Sequence, residues 1–195
     1  MRAALFGGAF DPVHVGHVFI GREALRLLAP CRLVLIPTGS PNPAFGKHLS
    51  ASDDDRVAML ELAFNDVRGA TICDLELRRK PALSYFADTL EALQPSLGSE
   101  KPFLLIGEDQ LDSFSQWHRY QDILAHVELR FVPRAGRRRT SVGQVQAVPL
   151  FEVNPFDSLS STLVRERCSQ GLPIDGLVPA PVARYVSEHH LYRET

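Results

Sequence analysis

Residues 2–17 read RAALFGGAFDPVHVGH. The short apolar run RAALF stops at a pair of glycines, the pattern of a buried strand with an abrupt exit. From Val15 the spacing changes. Val18, Ala24, Leu25 and Leu28 recur among Arg22, Glu23 and Arg26 up to Pro30, which predicts a helix over 15–28. A strand that passes through glycines into a helix brings bare backbone N–H groups and a helix N-terminus to one point, and both favour an anion. The order fits neither GxGxxG nor GxxxxGK[ST], so it is neither the dinucleotide fingerprint nor a P-loop. The phosphate-binding candidates are therefore His14 and His17, three apart and on one helix face. Imidazoles there can donate hydrogen bonds to phosphate oxygens, more strongly when protonated. HxxH could also be half of a metal site, although no third ligand follows at a metal-binding spacing.

Working outward, strand and helix patterns alternate along the chain. RLVLIPT (32–38), ATICDLEL (70–77), KPFLLIGED (101–109), HVELRFVPR (126–134) and QVQAVPLFEV (144–153) read as strand regions. Helices are predicted over 52–64, where acidic residues fill the first turn, and over 84–93, 160–169 and 180–189. This alternation predicts an α/β fold: a doubly wound, mainly parallel sheet in a single domain over 1–195, with a helical C-terminal part from about 158. Ligands in such sheets sit beyond the carboxyl ends of the strands at the switch point. Gly7–His17, Thr38 with the loop GSPNPAFGKHLS (39–50), and Gly107–Asp109 all fall at strand ends of that kind.

Composition sets bounds on function. The 195 residues are 45% hydrophobic and 23% charged with a net charge of −2, so nothing global favours a nucleic-acid or membrane partner. Three scattered cysteines without CxxC spacing suggest reduced thiols rather than disulfides or zinc. The apolar run at the N-terminus stops at Gly7, too early for a signal peptide, and a cytoplasmic protein is expected. RAGRRR (134–139) reads as a solvated basic loop, and His189 and His190 as surface residues.

A second cluster lies at SLSSTLVRER (158–167). Ser160, Ser161 and Thr162 precede an amphipathic helix, and Arg165 and Arg167 follow. Helix capping alone explains the hydroxyls, while hydroxyls plus arginine at a helix N-terminus also describe a polyphosphate clamp.

GGAFDPVHVGH (7–17) and LSSTLVR (159–165) together resemble the nucleotidyltransferase superfamily marked by (T/H)xGH and SSTxxR elements. LIPTGSP (35–41), DDRVAMLELA (54–63), SYFADTL (84–90), LLIGEDQLDSFSQWHRYQDIL (104–124) and VPAPVARYVSEHHLY (178–192) extend the likeness over the whole chain. They make it similar to bacterial nicotinate-nucleotide adenylyltransferases. The resemblance implies a Rossmann-like nucleotidyltransferase fold and in-line attack of nicotinate mononucleotide on the α-phosphorus of ATP, with Mg²⁺. It places His14, His17 and Arg165 in catalysis. Gly7, Gly8, Ala9, Phe10, Gly107, Asp109, Ser160, Ser161 and Thr162 fall on ATP, and Thr38, Lys47, Tyr85, Phe86 and Trp117 on the mononucleotide. No metal-ligating side chains are assigned, and the oligomeric state is left open.

The chain departs from the family pattern at NPAFGK (42–47), at Phe86 where a threonine is usual, and at Glu108. The alternatives are an adenylyltransferase that prefers nicotinamide mononucleotide or another phosphorylated acceptor, such as pantetheine phosphate, a cytidylyltransferase, and a nucleotide-binding regulator without catalysis.

Overall fold

The computed structural model describes residues 2–28, 31–41, 49–134, 141–142 and 145–193. Strand β1 (Arg2–Gly8) leads into helix α1 (Val15–Leu27) and β2 (Cys31–Pro37). Helix α2 (Asp53–Phe64), β3 (Ala70–Ile72), α3 (Leu75–Arg79), α4 (Phe86–Leu97) and β4 (Phe103–Gly107) follow. Then come α5 (Glu108–Ser113), α6 (Tyr120–His126), β5 (Glu128–Val132), β6 (Ser141–Val142), β7 (Val145–Gln146), β8 (Val148–Pro149), α7 (Ser161–Ser169) and α8 (Ala180–Glu188).

Six strands pair in the order β3-β2-β1-β4-β5-β8, every pair parallel. Phe6 of β1 stands between Leu35 of β2 and Leu105 of β4. The chain builds outward from β1 to β3 on one side, then returns to β4 on the other. This reversal opens a crevice above the carboxyl ends of β1 and β4.

The period-2 alternation of the strands sorts the core into two faces. Ala4, Phe6, Leu33, Leu35 and Leu105 pack with residues of α1, α2, α7 and α8. Ala3, Leu5, Val34, Ile36, Leu104 and Ile106 pack with residues of α4, α5 and α6. Cys73 and Cys168 are free thiols.

Several predicted elements differ in detail. The strand read over 70–77 stops at Ile72, with a last sheet bond from Cys73 N to Leu35 O (2.8 Å), and the good helix formers that follow make α3. Helix α4 starts at Phe86 and continues through Pro95, held by buried Leu97. Residues 108–126 hold α5, a 3₁₀ turn (Phe114–Gln116) and α6, pieces too short for a helical period to show. Of the strand read over 144–153, only β8 joins the six-stranded sheet, and β7 pairs antiparallel with β6. Pro149, lacking an N–H, suits that edge position.

Candidate active site

Beyond β1 the chain makes a tight turn into α1. Phe10 takes a left-handed backbone (φ 48°), and its ring is buried edge-on against Phe6 and His17, with centroids 5.4 and 5.1 Å away. Gly8 leaves room for that ring, since a Cβ there would crowd it, 3.1 Å from Phe10 Cζ. At Gly7 an added Cβ would meet no atom within 4 Å. Glycine at that position keeps open the space in front of the strand.

His14 is the N-cap of α1. Its Nδ1 accepts from the His17 backbone N–H (3.3 Å), and His17 Nδ1 accepts from the His14 backbone N–H (3.2 Å). Two histidines thus form a reciprocal capping box of the kind usually made by Ser or Thr with Glu. Their rings stack at 3.6 Å between centroids. With Nδ1 accepting, each neutral ring carries its proton on Nε2 and presents that N–H as its donor.

Burial, and then the nearby Arg134 cation, lower the His14 pKa to about 4. Burial, His14 and Arg134 hold His17 well below the usual histidine value. Both imidazoles are therefore neutral at pH 7. Of the two forms that could donate, the site therefore holds the neutral one, because buried rings beside an arginine do not readily accept charge.

Helix α7 docks against the same turn. Ser160 caps it by accepting from Leu163 N–H (3.1 Å), and the Ser161 hydroxyl donates to Pro12 O (2.8 Å). Arg165 Nη1 donates to Asp11 O (2.7 Å) and Nη2 to Thr162 Oγ1 (3.3 Å). The two motifs, some 150 residues apart in sequence, are thus stitched together at Asp11–Pro12. Ala9 is held through its carbonyl by Arg56 of α2, fully buried, whose Nη1 donates at 2.8 Å.

Arg134, just past β5, donates through Nη1 to Asp157 O (2.8 Å) and places Nε 3.8 Å from Asp109 Oδ1. Its backbone N–H donates to the buried Glu108 carboxylate at 2.7 Å. The basic segment read as a solvated loop therefore begins with a residue built into the site. The rest of it, 135–139, lies outside the described residues.

On the other side of Gly7 and Gly8 a cavity of about 540 Å³ opens. Thr38, Tyr85, Phe86, Trp117 and Asp109 line it, together with Glu76. Trp117 packs on Phe114 (4.9 Å) and meets Phe86 edge-on (6.3 Å), so it is at once a core contact and a cavity wall. Tyr85 packs on His118 at 4.4 Å.

The walls are tied at their bases by short polar links. Glu76 accepts from Gly39 N–H (3.2 Å) and the Thr89 hydroxyl (2.8 Å), and Ser40 N–H donates to Ser84 Oγ (2.9 Å). Gly39 must be glycine because a Cβ would approach Glu76 O to 2.6 Å. Gly107 is the N-cap of α5 at the end of β4, beside this cavity. Lys47 and the rest of 42–47 lie outside the described residues.

Residues 5–167 match the cytidylyltransferase-like family. The chain belongs to that family. It is 38% identical to the probable nicotinate-nucleotide adenylyltransferase of Bordetella pertussis, over 98% of this chain and 98% of that one. It is 32% identical to the protein of the same name from Dehalococcoides mccartyi, over 98% and 97%. In three dimensions it is similar to Plasmodium falciparum nicotinic acid mononucleotide adenylyltransferase complexed with NaAD, with a TM-score of 0.80 at 14% identity over 98% of this chain and 97% of that one. That degree of identity speaks for the shared fold.

As a cytidylyltransferase-like protein, the chain places its sequence-predicted residues in two neighbouring groups. His14, His17, Phe10, Ser160, Ser161, Thr162 and Arg165 surround the turn after β1, and Thr38, Tyr85, Phe86, Trp117 and Asp109 surround the cavity. Gly7 and Gly8 are common to both. The sequence reading assigned no role to Asp11, Arg56, Glu76 or Arg134. Apart from Asp53, which pairs with Arg56 within the first turns of α2, the partners that set them in the site lie far off in sequence, so no local spacing marks their role.

Proposed function

We propose that the protein transfers the adenylyl group of ATP to nicotinate mononucleotide in the cytoplasm, forming nicotinate adenine dinucleotide and pyrophosphate. The observation that carries this reading is the adjacency of the two groups. A donor-rich turn for phosphates and an aromatic cavity of about 540 Å³ meet at Gly7–Gly8, and at Gly7 an added Cβ would meet no atom within 4 Å. The full-length likeness to nicotinate-nucleotide adenylyltransferases supports the choice of acceptor.

In this reading the mononucleotide phosphate oxygen attacks the α-phosphorus as the bond from that phosphorus to the β-phosphate oxygen breaks, and pyrophosphate leaves. No covalent enzyme intermediate is needed. Rate comes from alignment and from fixed donors aimed at the charge that moves onto the leaving group.

The Nε2–H groups of His14 and His17 donate to the phosphates as neutral imidazoles. Arg165 and the N-terminal turn of α7 hold the far phosphates, and Arg134 adds positive potential from the β5 side. Trp117 stacks on the pyridine ring, flanked by Phe86 and Tyr85. Mg²⁺ would come with ATP, held chiefly by phosphate oxygens and water, and would offset the negative charge of the phosphates.

The test is steady-state pyrophosphate release with ATP and Mg²⁺, comparing nicotinate and nicotinamide mononucleotides side by side. Turnover with a clear preference for the nicotinate form is expected. Preference for the amide would move the acceptor assignment to the alternative and point to Phe86. Absence of turnover with either, while ATP still binds, would favour a nucleotide-binding regulator.

A further inference from the structure

Asp11 gathers contacts from three segments. Its backbone carbonyl receives Arg165, as described above. Its carboxylate, 1% exposed, accepts from Ser50 N–H at 2.6 Å and Ala51 N–H at 3.1 Å, both just before α2. A third donor is the Tyr192 hydroxyl, 2.7 Å from Asp11 Oδ1 and 181 residues away in sequence.

Tyr192 follows α8 in a turn closed by Leu191 N–H on Val186 O (3.0 Å), and its φ is 62°, a region that bulky L side chains rarely adopt. Such a conformation persists where the surroundings impose it. Here the ring packs against the core face that holds α7 and α8, and the hydroxyl ends on Asp11. Burial and the facing carboxylate push the Tyr192 hydroxyl pKa up, so it stays a donor at any physiological pH.

We infer that Tyr192 is a positioning residue for ATP binding: through Asp11, its hydroxyl fixes the turn on which Arg165 and His14 are set. This rests on the adenylyl-transfer reading and deepens it. Tyr192 acts on the turn without contacting the nucleotide. Without its hydroxyl, the buried carboxylate loses one of three donors, and a buried anion short of a partner rotates or draws in water. The residue that rotates is the one whose carbonyl holds Arg165, so the loss is transmitted to the phosphate clamp and not to the cavity.

A second tyrosine supplies the internal control. Tyr185 of α8 donates to Asp55 Oδ1 at 2.9 Å, the same chemistry from the same C-terminal segment, but it ends on the first turn of α2. Tyr192→Phe and Tyr185→Phe each keep the ring and remove one hydroxyl. Two measurements are needed: calorimetric affinity for a non-hydrolysable ATP analogue in the absence of acceptor, and KM for each substrate.

For Tyr192→Phe we expect ATP-analogue affinity to fall, and KM for ATP to rise, about three- to tenfold, as for one charge-assisted hydrogen bond partly transmitted. KM for the mononucleotide should stay within about twofold, and Tyr185→Phe should leave both constants unchanged even where melting temperature falls. Equal ATP affinity in folded Tyr192→Phe and wild type, or equal rises in both KM values, would overturn the inference. Should Tyr192→Phe fail to fold, Asp11→Asn must reproduce the ATP-specific loss, and its failure to do so overturns the inference equally. If wild type rejects every mononucleotide, the acceptor assignment falls, while the binding comparison still decides the role of Tyr192.

Discussion

The turn after β1 and the cavity beside it share two glycines, yet they are built on opposite principles. The turn is tied down by donors to three of its carbonyls: Arg56 on Ala9, Arg165 on Asp11 and Ser161 on Pro12. The cavity is walled by rings whose polar links lie at their bases, through Glu76, Thr89 and Ser84. A rigid set of donors suits a group whose charge moves during reaction, because preorganised dipoles need no rearrangement at that moment. Aromatic walls suit a ring that must be held flat but is not itself transformed. The difference teaches where substitution should strike rate and where it should strike affinity.

The sharpest way to break this contrast is His17→Ala. It removes a donor and, with it, half of the reciprocal cap on α1, and kcat for pyrophosphate release should fall about 10²–10³-fold. Turnover close to wild type would remove His17 from the chemistry.

Trp117→Ala probes the other side. Loss of a stacking wall should raise KM for the mononucleotide about tenfold, in line with the ~1–3 kcal/mol of a base–aromatic stack, while KM for ATP stays near wild type. A rise confined to ATP would reverse our assignment of the two regions.

The smallest effect concerns pH and stability. His14 is held at about 4 and His17 well below 6.5 in the folded chain. The unfolded chain therefore binds more protons between those values, and stability rises with pH across that window. The contribution of the pair is complete above about 6.5 and is lost as pH falls toward 4. Melting temperature followed from pH 7 to pH 4.5 should drop in wild type, and less steeply in His14→Asn, whose amide caps α1 without titrating. Parallel curves for the two proteins would contradict the burial of a neutral imidazole.

Much of this contrast was legible in the residues themselves. The switch from a strand period to a helical one across Gly7–His17 foretold the crevice, because it needs only local spacing. His14 and His17 were visible for the same reason, although their neutrality was not. That depends first on burial and then on Arg134, neither of which local spacing reveals. Arg56 sits in a segment that looks like any amphipathic helix, and only the fold shows its guanidinium buried under the Ala9 carbonyl. Helices α5 and α6, six and seven residues long, were missed because a helical period needs more turns to declare itself. The resemblance put Trp117 on the mononucleotide, and the structure also packs it on Phe114 while it lines the cavity.

The position of β1 bears on how the protein is made. It lies centrally in the sheet and is synthesised before the two strands that flank it. Its partner on one side, β2, follows within a few tens of residues, but β4 is synthesised far later. Until then one edge of an apolar strand stays unpaired, open to other chains and to chaperones. The proposed phosphate clamp is completed later still, once α7 and the segment carrying Tyr192 have been released. A nascent chain truncated before residue 160 would hold His14, His17 and Arg134 but lack Arg165 and α7, so vectorial synthesis itself delays the completed grip until that helix docks.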